Sequence, residues 1–119
     1  MEVLFVCYPK CTTCQKAKRW LQGHGIVIQE RNIKEQNPSK EELAQWHLAS
    51  GLPLRKFFNT SGLLYREQEL SKKLPEMSEE EQLELLATDG MLVKRPILTD
   101  GKTVLIGFRE KEWETVLLK

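Results

Sequence analysis

Long apolar runs are missing from this chain of 119 residues. Nothing approaches the ~20 consecutive apolar residues that span a bilayer, and the N-terminus offers only Val3 to Cys7 behind an acidic Glu2. Without a basic flank this stretch is no signal peptide, so a cytoplasmic protein with no membrane partner is expected. A dominant charge is missing too: 18 Lys+Arg stand against 17 Asp+Glu, a formal net charge of +1. That balance supplies no bulk field for gripping nucleic acid or anionic lipid, so recognition must come from a local constellation and no direct nucleic-acid contact is expected. The 7 glycines and 5 prolines never gather into a linker-like tract. Hydrophobic content of 40% with 29% charged residues is that of an ordinary globule, and the length suits one core, hence a single domain over residues 1–119.

Cysteine is scarce, at 3 residues. An odd number does not suit a secreted disulfide scaffold, whereas Cys11 and Cys14 form a Cys-x-x-Cys pair, which in a reducing compartment is catalytic, redox-sensing or metal-binding. A structural zinc would need further ligands, and Cys7 within a strand and His24 and His47 at no ligand spacing do not supply them, so no metal is expected. Cys7 reads as a small buried hydrophobe, His24 and His47 as exposed residues at helix ends.

The unbroken apolar run Val3 to Cys7, closed by Tyr8-Pro9, reads as a central strand buried on both faces. From Thr12, the spacing of Cys14, Ala17, Lys18 and Leu21 predicts a helix that stops at Gly23 and Gly25. Ile26 to Ile33 returns to an extended pattern, completing a βαβ unit expected to be right-handed and parallel. Ser39 to Glu42 and Ser78 to Glu81 are capping boxes opening two further helices. Leu54, Phe57 and Phe58 suggest a short helical turn before the breaker Asn59 to Gly62. An extended run is expected from Val93 to Thr99 and another from Thr103 to Phe108, joined at Asp100-Gly101 as a hairpin. Trp113, Val116 and Leu117 close the chain with an amphipathic helix. The order is βαβ, a helical insertion over about residues 38–92, then ββα.

A free cysteine, with a pKa of ~8.5, is mostly protonated at neutral pH, and its thiolate is the nucleophile. The segment Tyr8-Pro9-Lys10-Cys11-Thr12-Thr13-Cys14 lies where a buried strand hands over to a helix. Cys11 there faces the unpaired amides of the first turn, and dipole, amides and Lys10 all favour its anion. Cys14, one turn further in, suits a resolving thiol. The first-turn amides, including those of Thr12 and Thr13, also form an oxyanion site. Arg95 is the best second positive group, and a cis Arg95-Pro96 bond would bring its turn to the cysteine loop.

These residues resemble the ArsC/Spx family of thioredoxin-fold proteins. Tyr8 to Cys14 with Lys16-Ala17, then Arg95-Pro96-Ile97, then Gly107-Phe108 carry the resemblance across the full chain. It implies an α/β fold of thioredoxin/glutaredoxin-like type, a βαβ…ββα core with the helical insertion between its halves. In the arsenate reductase branch it implies Cys11 as nucleophile and Arg95 as an anion-binding residue. That branch binds no cofactor, and glutathione with glutaredoxin, or thioredoxin, is the expected electron donor. Asn59 stands where those reductases carry a further arginine, and Cys14 where they commonly lack a cysteine. In the Spx branch the resemblance implies a redox-sensing transcription regulator that binds the α subunit of RNA polymerase and switches through Cys-x-x-Cys.

Overall fold

The computed structural model describes residues 2–118. In chain order the elements are β1 (Glu2–Cys7), α1 (Thr12–Gly23), β2 (Val27–Asn32), α2 (Lys40–Ser50), α3 (Leu63–Glu67), α4 (Leu70–Lys73), α5 (Glu79–Leu86), β3 (Ile97–Thr99), β4 (Val104–Ile106) and α6 (Glu110–Leu117). Short 3-10 turns occupy Leu54–Phe57, Leu74–Glu76 and Gly90–Leu92. The chain forms two compact units: one joins the segment up to Arg31 with the segment from Arg95 onward, and the other is Asn32–Lys94.

In the first unit the strands of the sheet lie in the order β2-β1-β3-β4. This explains why β1 is apolar at successive positions: it has a strand on either side, and Val3, Phe5, Val6 and Cys7 are all buried. β3 runs antiparallel to β1, with Leu4 opposite Thr99 and Val6 opposite Ile97. β4 returns antiparallel to β3, with Thr99 opposite Val104. Asp100 holds the connecting loop, its Oδ1 accepting from the amides of Lys102 at 2.9 Å and Thr103 at 2.8 Å. The odd-numbered residues of β1 share one face, and Val3, Phe5 and Cys7 form one cluster with Cys14, Ala17 and Leu21 of α1 and with Trp113 of α6. Burying Phe5 completely contributes about 2–3 kcal/mol. α1 ends where the left-handed Gly25, φ 71°, lets Ile26 N–H turn back to Leu21 O at 3.0 Å.

In the second unit both capping boxes form. Ser39 Oγ accepts from Glu42 N–H at 3.1 Å while Glu42 Oε1 accepts from Ser39 N–H at 3.0 Å, and Ser78 with Glu81 repeats the pattern. The run expected to extend from Val93 to Thr99 is shorter than its composition suggests. β3 begins only at Ile97, and Val93 instead makes an isolated bridge to Phe58, flanked by Lys94 N–H to Phe57 O and Asn59 N–H to Leu92 O, both at 2.8 Å. β-branched content marks extended backbone, and here part of it pairs with a loop rather than with the sheet. Asp89 caps the 3-10 turn at Gly90–Leu92, its Oδ1 accepting from Met91 N–H at 2.8 Å. His47 is half-buried rather than exposed, its ring set edge-on to Phe57 at 5.9 Å.

Candidate functional site

β1 delivers the chain at Cys7, and the next four residues turn it into α1. Cys11 N–H bonds Tyr8 O at 2.9 Å, and Cys11 is the N-cap of α1 in extended conformation, φ −84° and ψ 121°. Cys11 is half-buried, Thr12 and Thr13 form the exposed start of the helix, and Cys14 is only 2% exposed. Burial falls on Cys14 because it begins the apolar stripe that continues through Ala17 and Leu21. The spacing of the motif thus produces one accessible sulfur and one covered sulfur.

Their protonation differs accordingly. Burial opposes ionisation of Cys11, but the amide and thiol of Cys14 and the Arg95 guanidinium outweigh it and hold the Cys11 thiol below the ordinary cysteine value. The Cys11 side chain makes no cap hydrogen bond of strict geometry, so the Cys14 amide acts chiefly as a dipole close to the sulfur. Cys14 is pushed up to about 12, first by burial and then by the charge on Cys11, against the opposing effect of Tyr8 N–H, which donates to its Sγ at 3.4 Å. Cys14 therefore stays protonated and can donate toward Cys11. Cys7 rises to about 11 through burial, with Glu30 adding to the rise and Lys18 opposing it. Its 4% exposure matches a small buried hydrophobe.

Arg95 is the group whose surroundings the sequence conveys least. The Arg95-Pro96 bond is cis, and the guanidinium carbon lies 5.3 Å from the centroid of the Tyr8 ring. Arg95 Nε and Nη1 are buried with no protein hydrogen-bond partner. A guanidinium retaining buried, unpartnered N–H groups beside the half-buried Cys11 sulfur is suited to receive an anion. Lys10 is exposed, and after burial the chief influences on Cys11 are Cys14 and Arg95. Asn59 belongs to the second unit, where its carbonyl accepts from Gly62 N–H at 3.0 Å. Tyr8 was not singled out by its sequence position, and no local signal could pair residue 8 with residue 95.

Among the described residues no group of three His, Cys, Asp or Glu side chains is arranged to hold a metal ion, and no helix is long and apolar enough to cross a membrane.

The model of the ArsC family matches residues 7–116. The chain is 60% identical over 114 residues to the uncharacterized protein YusI of Bacillus subtilis, covering 96% of this chain and 97% of that one. It is 34% identical over 112 residues to the global transcriptional regulator Spx of Streptococcus mutans, covering 94% of this chain and 80% of that protein. Among solved structures, the arsenate reductase from Vibrio cholerae superposes with a TM-score of 0.80 at 27% identity, covering 99% of this chain and 97% of the other.

Proposed function

Since the chain belongs to the ArsC family and has its thioredoxin-like fold, we propose that it is a thiol-disulfide oxidoreductase of arsenate-reductase-like type, with Cys11 as nucleophile and Cys14 as resolving thiol. One observation carries this reading: a Cys11 thiol held low stands beside a Cys14 thiol held protonated and covered, at a single helix N-terminus. Arg95 and the amides of Thr12, Thr13 and Cys14 receive the anionic part of the substrate, with Lys10 at the rim.

With a disulfide substrate, the Cys11 thiolate attacks one sulfur, the S–S bond breaks and the other sulfur leaves as a thiolate. Cys14 then gives up its proton and attacks Cys11, closing the intramolecular disulfide and expelling the second substrate thiol. Two protein thiols become one disulfide, and two electrons pass to the substrate. With arsenate, Cys11 attacks arsenic and an oxygen leaves as water. Attack by a second thiol on the Cys11 sulfur then breaks the S–As bond, leaving its electron pair on arsenic as arsenite. Glutathione, or a thioredoxin or glutaredoxin, returns the protein to its dithiol form.

NADPH consumption coupled through either donor system, measured with arsenate and with a model disulfide, tests the reading. Cys11→Ser is expected to lose at least about a thousandfold in turnover, in line with removal of a covalent nucleophile. Cys14→Ser retains turnover only where glutathione resolves the adduct. No turnover of either substrate by the unaltered protein overturns the enzyme reading and leaves the redox-sensing regulator, whose disulfide state would alter binding to RNA polymerase.

A further inference from the structure

The structure assigns Tyr8 as the positioning residue of the site, its ring serving as the platform that holds the Arg95 guanidinium toward Cys11. This rests on the reading of Cys11 as nucleophile and deepens it. Tyr8 meets Cys11, Cys14 and Arg95 alike. Its carbonyl accepts from Cys11 N–H at 2.9 Å, its N–H donates to Cys14 Sγ at 3.4 Å, and its ring lies under the Arg95 guanidinium at 5.3 Å. The two backbone contacts belong to the turn and need no particular side chain. The ring contact does. Arg95 has buried Nε and Nη1 atoms without protein partners, so those two atoms do nothing to fix the orientation of its head. The face of an aromatic ring attracts a guanidinium without consuming its N–H groups. The plane is therefore held while the edge stays available to the thiolate and to an incoming anion, which a carboxylate partner would have neutralised.

The test reads Cys11 directly, through the pH profile of its alkylation by iodoacetamide in the full-length protein. Besides Arg95, the titratable groups acting on Cys11 or sensing it are Cys14 and Cys7, so every variant is built on a Cys7→Ala, Cys14→Ala background that leaves one thiol to titrate. The comparison is among Tyr8→Phe, Tyr8→Leu, Arg95→Gln and Tyr8→Leu with Arg95→Gln. Tyr8→Phe is expected to keep the parent profile. Tyr8→Leu moves the midpoint up by about half a pH unit, the size a partly exposed cation–π contact gives, and adds nothing once Arg95 is gone. A series of progressively fluorinated phenylalanines at position 8, which drain charge from the ring face while preserving its shape, is expected to raise the midpoint in step and keeps the question answerable if leucine unfolds the turn.

An unchanged midpoint in Tyr8→Leu and across the fluorinated series overturns the assignment. So does an equal shift with or without Arg95, which would mean the ring acts only through the loop, or a Tyr8→Phe shift as large as that of Tyr8→Leu. A midpoint at the ordinary thiol value for Cys11 in the protein that keeps all three cysteines, read by peptide mapping of the alkylated site, instead defeats the reading of Cys11 itself, so the two failures are distinct.

Discussion

Cys7 and Cys14 make the folded chain sensitive to alkali. Their thiols stand at about 11 and about 12 in the fold against 9.0 for an unburied cysteine. These are acids with raised values, so the unfolded chain releases their protons first. Stability is unaffected by them below pH 9 and declines as pH rises from there toward 11 and beyond. Cys11 has the opposite sign: its lowered thiol stabilises the fold above the unfolded value, and this contribution disappears as pH falls through the folded one. Melting temperatures between pH 8 and 10.5 are expected to fall less steeply for Cys7→Ala than for the parent protein, a difference that isolates this one thiol from the rest of the chain. A parallel slope in the two proteins would show that Cys7 is not buried as described.

The elements differ in how openly their residues declare them. Both capping boxes could be read as four-residue words because the serine and the glutamate answer each other locally, and removing the hydroxyl in Ser39→Ala is expected to cost about 1 kcal/mol. Gly90 gives no such local sign. A Cβ there would lie 1.8 Å from Ile33 O, a contact between backbones far apart in sequence. Gly90→Ala is therefore expected to cost about 3 kcal/mol, as backbone displacement does, and urea midpoints for the two variants decide whether that order holds. The same distinction governs the rest of the fold. β1, α1 and the β3–β4 hairpin follow from apolar periodicity and turn residues, all local signals. The late start of β3 depends on Val93 finding Phe58, and α3 and α4 are too short for periodicity to reveal. At the site, Cys11 and Cys14 are legible from four residues of spacing, and Arg95 only through the proline that follows it. The ring beneath Arg95 depends on the completed turn.

At the scale of the whole chain, the net charge of +1 conceals an uneven distribution. The segments that build the cysteine-bearing unit carry more Lys and Arg than Asp and Glu, whereas residues 32–94 carry the reverse excess. Opposite excesses cancel in a sum but not in the local potential. Under the proposed function, turnover of an anionic substrate, expressed as kcat/KM, is therefore expected to fall as sodium chloride rises from 20 to ~300 mM, where screening shortens to within a few residues' reach. A neutral disulfide is expected to show little change over the same range.

The amide of Tyr8, bonded to the Cys14 sulfur at 3.4 Å, would tie the first residue after β1 to the oxidation state of the pair under the proposed function. Once that sulfur is bridged, it becomes a different acceptor for the same N–H. If Cys11 and Cys14 cycle as proposed, the Tyr8 amide in deuterated solvent would be a resident clock of that cycle, its exchange differing between dithiol and disulfide without any dye or added label.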